Sequence, residues 1–96
     1  HTGAYCDAHA QGDFAKRDKI LAQLKAGAKE ASRLGLEVHA GHGLSFETVG
    51  PVAAIPEVVE LNIGHFLVGE AIFTGLEAAV ARMRGLMDEA RIRASA

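Results

Sequence analysis

Between Phe14 and Leu34, Ile20, Leu24, Ala28 and Ala31 fall on one helical face, while Lys16, Arg17, Lys25, Lys29 and Arg33 lie mostly elsewhere. That spacing predicts an amphipathic helix. Asp13 suits its N-cap and Gly35 its C-terminal cap after Leu34. Leu36–Ala40 predicts a short strand, with Leu36 and Val38 on one side and Glu37 and His39 on the other. Gly41-His42-Gly43 ends it. A short helix follows, carrying Val49, Val52 and Ala53, with Ser45 or Thr48 as its cap. Pro51 fits only its first turn, and Pro56 stops it. Val58–Ile63 predicts a further strand, apolar enough to be covered on both faces. After Gly64-His65 the segment 66–73 reads as a short helix. Thr74 and Glu77 make a capping box for the last helix, with Leu76, Val80, Met83, Met87 and Ala90 as its buried stripe. Arg82, Arg84 and Arg91 are expected on its outer side, and the tail 93–96 frayed. At the other end, His1–Gly3 reads as the tail of a strand, followed by a loop through Gln11-Gly12.

Strands alternating with helices need crossover connections, which predicts an α/β fold with a parallel sheet. Three strands cannot close a barrel and would leave sheet edges bare, so the pattern fits the C-terminal part of a larger barrel domain, with its upstream strands absent from this chain. The opening at His1, on what reads as a strand end, points the same way.

Composition narrows the function. With 49% hydrophobic and 23% charged residues and a formal charge of −2, nothing suggests nucleic acid or an anionic membrane surface as partner. No apolar run approaches the ~20 residues that span a bilayer, and no signal peptide opens the chain. The single cysteine, Cys6, excludes an internal disulfide and fits a reducing, cytoplasmic compartment.

Two glycine-histidine corners carry the candidate chemistry. In parallel α/β folds the loops after the strands share one face, where ligands bind. His1-Thr2-Gly3, Gly41-His42-Gly43 and Gly64-His65 are all expected there. The amides of Gly43, Gly64 and His65, at the start of the 66–73 helix, suit a phosphate. His42 is a candidate general acid or base, since an imidazole titrates near neutral pH; the bland alternative is a histidine that hydrogen-bonds a neighbouring loop. His65, beside Gly64, reads as a phosphate contact rather than a proton shuttle. His39 reads as a packed or hydrogen-bonded histidine, and His9 as solvated in a polar loop. A zinc site from His39, His42 and His65 lacks any supporting ligand spacing. Cys6 reads as a quiet loop residue, and Glu60 as solvated or paired with a lysine, with Glu37 and Glu70 as further carboxylates near the strand ends.

HTGAY at the start, LGLEVHAGHGL in the middle and AAIPEVVELNIGHFLVGEAIFTGL near the end together closely resemble the pyridoxine 5′-phosphate synthase family. The resemblance covers essentially the whole chain and falls in the family's last three strand–helix units. It implies a (β/α)8 TIM barrel and a homo-oligomer. It also implies condensation of 1-deoxy-D-xylulose 5-phosphate with 3-amino-2-oxopropyl phosphate to pyridoxine 5′-phosphate, phosphate and water. Acid–base residues would manage this without a metal or organic cofactor. His42 then matches the family's proton donor, Gly43 a substrate-binding backbone position, and Gly64 with His65 the pair that binds the amino-ketone phosphate. The family's other acid–base histidine and glutamates lie on earlier strands, so this stretch alone is expected to be inactive. The alternative is a non-catalytic phosphate-binding or self-associating module.

Overall fold

The computed structural model describes residues 1–95. Its order is α1 (Gly3–Ala10), α2 (Phe14–Arg33), β1 (Val38–Gly41), α3 (Val49–Ala53), β2 (Val58–Asn62), α4 (His65–Thr74) and α5 (Leu76–Ser95). The fold is α/β, and β1 and β2 pair in parallel in a two-stranded sheet.

The first element departs from expectation. His1–Gly3 is not a strand tail and residues 3–10 are not a loop. The Thr2 N–H still bonds the Gly41 carbonyl at 2.8 Å, beside the end of β1, but the chain turns into α1 at Gly3. That helix is held by burial of Tyr5 and Ala8 and by the Tyr5 hydroxyl, which donates to the Thr48 carbonyl at 2.9 Å.

Helix α2 matches its pattern. The Asp13 carboxylate accepts from the Lys16 N–H at 3.1 Å, capping the first turn. At the other end Gly35, at φ 83°, allows the Leu36 N–H to bond Ala31 O and its own N–H to bond Ser32 O. This reciprocal closure of the last turn needs a left-handed residue, which glycine supplies without strain. Ile20, Leu21 and Leu24 pack against Tyr5, Cys6, Leu44 and Val52, while Ala28 meets Ile55 and Val58.

Strand β1 starts two residues later than expected, and Leu36 is exposed. Val38, Ala40 and Leu61 face the helices. The strand at Val58–Ile63 is not covered on both faces: Val59, Glu60 and Asn62 are exposed. His39 pairs with Glu60 and Gly41 with Asn62 across the sheet, after an irregularity between Val38 and His39.

The predicted capping box does not form. The Thr74 hydroxyl turns back to the Glu70 carbonyl at 3.2 Å, and Gly75, at φ 86°, breaks the chain direction before α5. On α5 the buried positions are Ala79 and Met83, whereas Leu76 and Val80 are exposed. Arg91 does not lie on the outer side. Its guanidinium reaches the carbonyls of Ala53 (3.0 Å), Ile55 (2.5 Å) and Pro56 (3.2 Å), closing the end of α3. The tail expected to fray is helical over 93–95, and Ala96 lies outside the described residues. No helix among the described residues is long and apolar enough to cross a membrane.

Candidate functional site

Parallel pairing brings the ends of β1 and β2 together, so the two glycine-histidine corners follow the same edge of the sheet. His42, Gly43, Gly64 and His65 line one cavity of about 710 Å³, together with Asn62 and Phe66. The sequence-predicted site residues therefore converge. Asn62 and Phe66 were not singled out in the sequence, although alternation along ELN places Asn62 on the same face as Glu60.

The backbone at His42 is unusual. Its φ is 95°, a region that side-chain-bearing residues rarely occupy. Such a conformation costs of order 1–3 kcal/mol and persists only where the surroundings impose it. Here the Thr2 hydroxyl, fully buried, donates to the His42 carbonyl at 2.7 Å. Directly behind, Gly43 continues at φ 78°, and a β-carbon there would sit 3.3 Å from Cys6 Cβ. The turn thereby leaves the His42 imidazole exposed at the cavity while its main chain is anchored.

On its other side the His42 ring stacks on His1, with centroids 4.4 Å apart and planes at 26°. The His1 Nδ1 accepts from the Gly3 N–H at 3.2 Å. Space is tight between these rings and the start of α1: a β-carbon on Gly3 would lie 2.6 Å from His1 Cε1 and 3.0 Å from His42 Cδ2. Glycine in HTG is thus what lets α1 begin beneath the histidine pair.

The second corner belongs to α4. Gly64 is its N-cap and His65 its first residue, and Val68 N–H closes the first turn on Gly64 O at 3.0 Å. The unpaired amides at this end, with the helix dipole, present partial positive charge toward the cavity.

His39 lies on the same side of the sheet as Glu60. Its Nε2 meets Glu37 Oε1 at 2.6 Å and its Nδ1 meets Glu60 Oε2 at 3.2 Å. Both ring nitrogens face acceptors, which favours the doubly protonated ring. The Glu37 hydrogen bond, followed by the charge of Glu60, pushes the His39 pKa above its ordinary value. Glu60 thus pairs with a histidine rather than with a lysine.

His9 is not in a solvated loop. It sits on α1, where Arg17 donates to its Nδ1 at 3.1 Å and its Nε2 faces Glu47 at 3.1 Å. Cys6 is likewise helical and buried beneath the first corner, its Sγ 3.7 Å from the His42 carbonyl. Burial pushes its thiol pKa up, so it is a packing group rather than a thiolate. Among the described residues no three His, Cys, Asp or Glu side chains are grouped to hold a metal ion.

Comparison with known proteins gives these corners a context. The family described as pyridoxal phosphate biosynthesis protein PdxJ matches residues 1–89. A pyridoxine 5′-phosphate synthase of Roseobacter denitrificans is 70% identical over 91 residues, which are 95% of this chain and 36% of that protein. One from Ruegeria pomeroyi is 70% identical over 91 residues, 95% of this chain and 37% of its own length. A third, from Caulobacter vibrioides, is 64% identical over 92 residues, 96% of this chain and 36% of its own. The chain therefore spans little more than a third of the length of these curated relatives. With its two corners inside the matched region, the chain belongs to the family of the pyridoxal phosphate biosynthesis protein PdxJ.

Proposed function

We propose that this chain supplies the last three strand–helix units of a (β/α)8 barrel with pyridoxine 5′-phosphate synthase activity. The substrates are 1-deoxy-D-xylulose 5-phosphate and 3-amino-2-oxopropyl phosphate; the products are pyridoxine 5′-phosphate, phosphate and water. Convergence of His42, Gly43, Gly64 and His65 on one cavity is the observation that carries this reading. Family membership and the synthase names of the relatives support it.

In this reading the amides of Gly43, Gly64 and His65 take the phosphate of the amino ketone, where main-chain donors and the α4 dipole meet a dianion. Phosphate held there sets the rest of the substrate beside His42. The imidazole gives a proton to the leaving hydroxyl or phosphate oxygen, so that neither departs as a strong base. The anchored main chain at His42 fixes where that proton is delivered. The rest of the barrel brings the remaining acid–base groups and the deoxyxylulose phosphate site. The free Cys6 fits a reducing cytoplasm, and the assembly is a homo-oligomer.

The test is turnover of the two substrates by the complete barrel and by its His42→Ala variant. A loss of about two orders of magnitude or more is expected for a general acid. Unchanged turnover would return His42 to a structural role.

A further inference from the structure

Helix α4 carries the Gly64-His65 corner, yet none of its residues is fully buried, and Val68, Ile72 and Phe73 are exposed. Gly64 has no packing of its own, since a β-carbon there would meet nothing within 4 Å. Something else must hold this corner at a fixed distance from Gly43. Phe46 lies just past Gly43, and Phe66 directly follows His65, so each corner carries one half-buried ring. The rings meet edge to face, centroids 4.7 Å apart and planes at 81°. That is the arrangement aromatic quadrupoles favour. From α5, the Arg82 guanidinium lies 4.2 Å from the centroid of Phe46, within cation–π range. Arg82 forms no ion pair among the described residues, whereas Arg84 and Arg93 pair with Asp88 and Glu89.

We propose that Phe46, Phe66 and Arg82 form a clasp that sets the separation between the Gly43 amide and those of Gly64 and His65. The clasp thereby tunes affinity for a phosphate monoester. All three are positioning residues acting through the corner amides, and the proposal rests on the phosphate reading above. Hydrogen bonds weaken steeply with distance and angle, so a cradle assembled from two loops binds well only if their spacing is set in advance. Phe46 ties the first corner to α5 through Arg82 and to the second corner through Phe66. A shift of either loop breaks the edge contact.

The experiment uses the complete barrel, with inorganic phosphate affinity and the KM of each substrate as readouts. Phe66→Ala is expected to weaken phosphate binding and raise the KM for the amino-ketone phosphate by about three- to tenfold, the range of one aromatic pair. The KM for the deoxyxylulose phosphate should stay unchanged, which general loosening of the fold would not achieve. Phe46→Ala, which also loses the Arg82 contact, should weaken binding at least as much, and the double variant should be no worse than Phe46→Ala alone. Phe46→Tyr, which keeps the ring, should restore binding. Arg82→Lys should weaken binding, because it keeps the charge and loses the planar guanidinium over the Phe46 ring. Should Phe66→Ala fail to fold, Phe66→Leu keeps the bulk without the ring and should still lose affinity.

Unchanged phosphate affinity in a folded Phe66 variant overturns the clasp, as do losses that multiply in the double variant. Full binding by Arg82→Lys removes Arg82 from it. A barrel that binds phosphate but does not turn over the two substrates refutes the proposed reaction, and the phosphate readout then still decides the clasp. A wild-type barrel without phosphate affinity refutes both.

Discussion

Gly41 and Asn62 stand opposite each other at the end of the sheet, so close that a β-carbon on Gly41 would lie 2.5 Å from the Asn62 carbonyl oxygen. The obstructing atom is main chain in a paired strand and cannot swing aside as a side-chain tip would. Gly41→Ala should therefore push β1 and β2 apart where the corners begin. A loss of about 1–3 kcal/mol is expected, as for other overpacked sites. Denaturant unfolding measures it, and an unchanged midpoint would mean that the strands splay without penalty.

At His42, torsion and chemistry can be separated. Glycine adopts φ 95° freely, whereas alanine, like histidine, does so only with strain. His42→Gly and His42→Ala should both lose about a hundredfold in turnover. The glycine variant should be the more stable of the two by about 1 kcal/mol. Equal stabilities would show that the turn carries no strain at this residue.

His39 should titrate above the ordinary histidine value of 6.5, held up first by the Glu37 hydrogen bond and then by Glu60. A raised folded value means that the charged ring stabilises the fold. This contribution is complete below 6.5 and is lost as pH rises through the raised midpoint. Glu37→Gln should lower the midpoint more than Glu60→Gln does. An NMR titration of the ring resonances reads both shifts, and a midpoint at or below the ordinary value would refute the pairing.

Arg91 donates to three carbonyls at the end of α3, those of Ala53 and Pro56 and that of Ile55, which also accepts from the Val58 N–H at 3.1 Å. Arg91→Ala should cost about 1–3 kcal/mol, because charged hydrogen bonds are lost and the part-buried Ala53 carbonyl loses the guanidinium. Arg91→Lys, with a single ammonium in place of the planar fork, should recover only part of that. Thermal unfolding of both variants checks the order.

Sequence alone conveyed the parts whose geometry is local or periodic. Asp13 and Gly35 bracket α2 because capping needs only nearby atoms, and the two corners share a cavity because parallel crossovers leave no other arrangement. What it hid depends on distant contacts. Helix α1 has no apolar stripe along GAYCDAHA, and is specified instead by Tyr5 reaching Thr48. Thr74 and Glu77 have capping spacing, but the positive φ at Gly75 ends α4 where the box would form. Arg91 looks like a solvent-facing charge until α3 ends beside it. The edge contact between Phe46 and Phe66 joins segments whose nearness no short window of residues contains.

The anchoring of His42 by Thr2 also bears on how the protein reaches its native state. These partners are 40 positions apart, with all of α1, α2 and β1 between them. Contacts of such sequence separation form late, because the intervening chain must first give up its freedom. The helices can condense while the His42 turn is still unmade, so a refolding experiment should recover helical signal before the amide resonances of residues 41–43 reach their native positions.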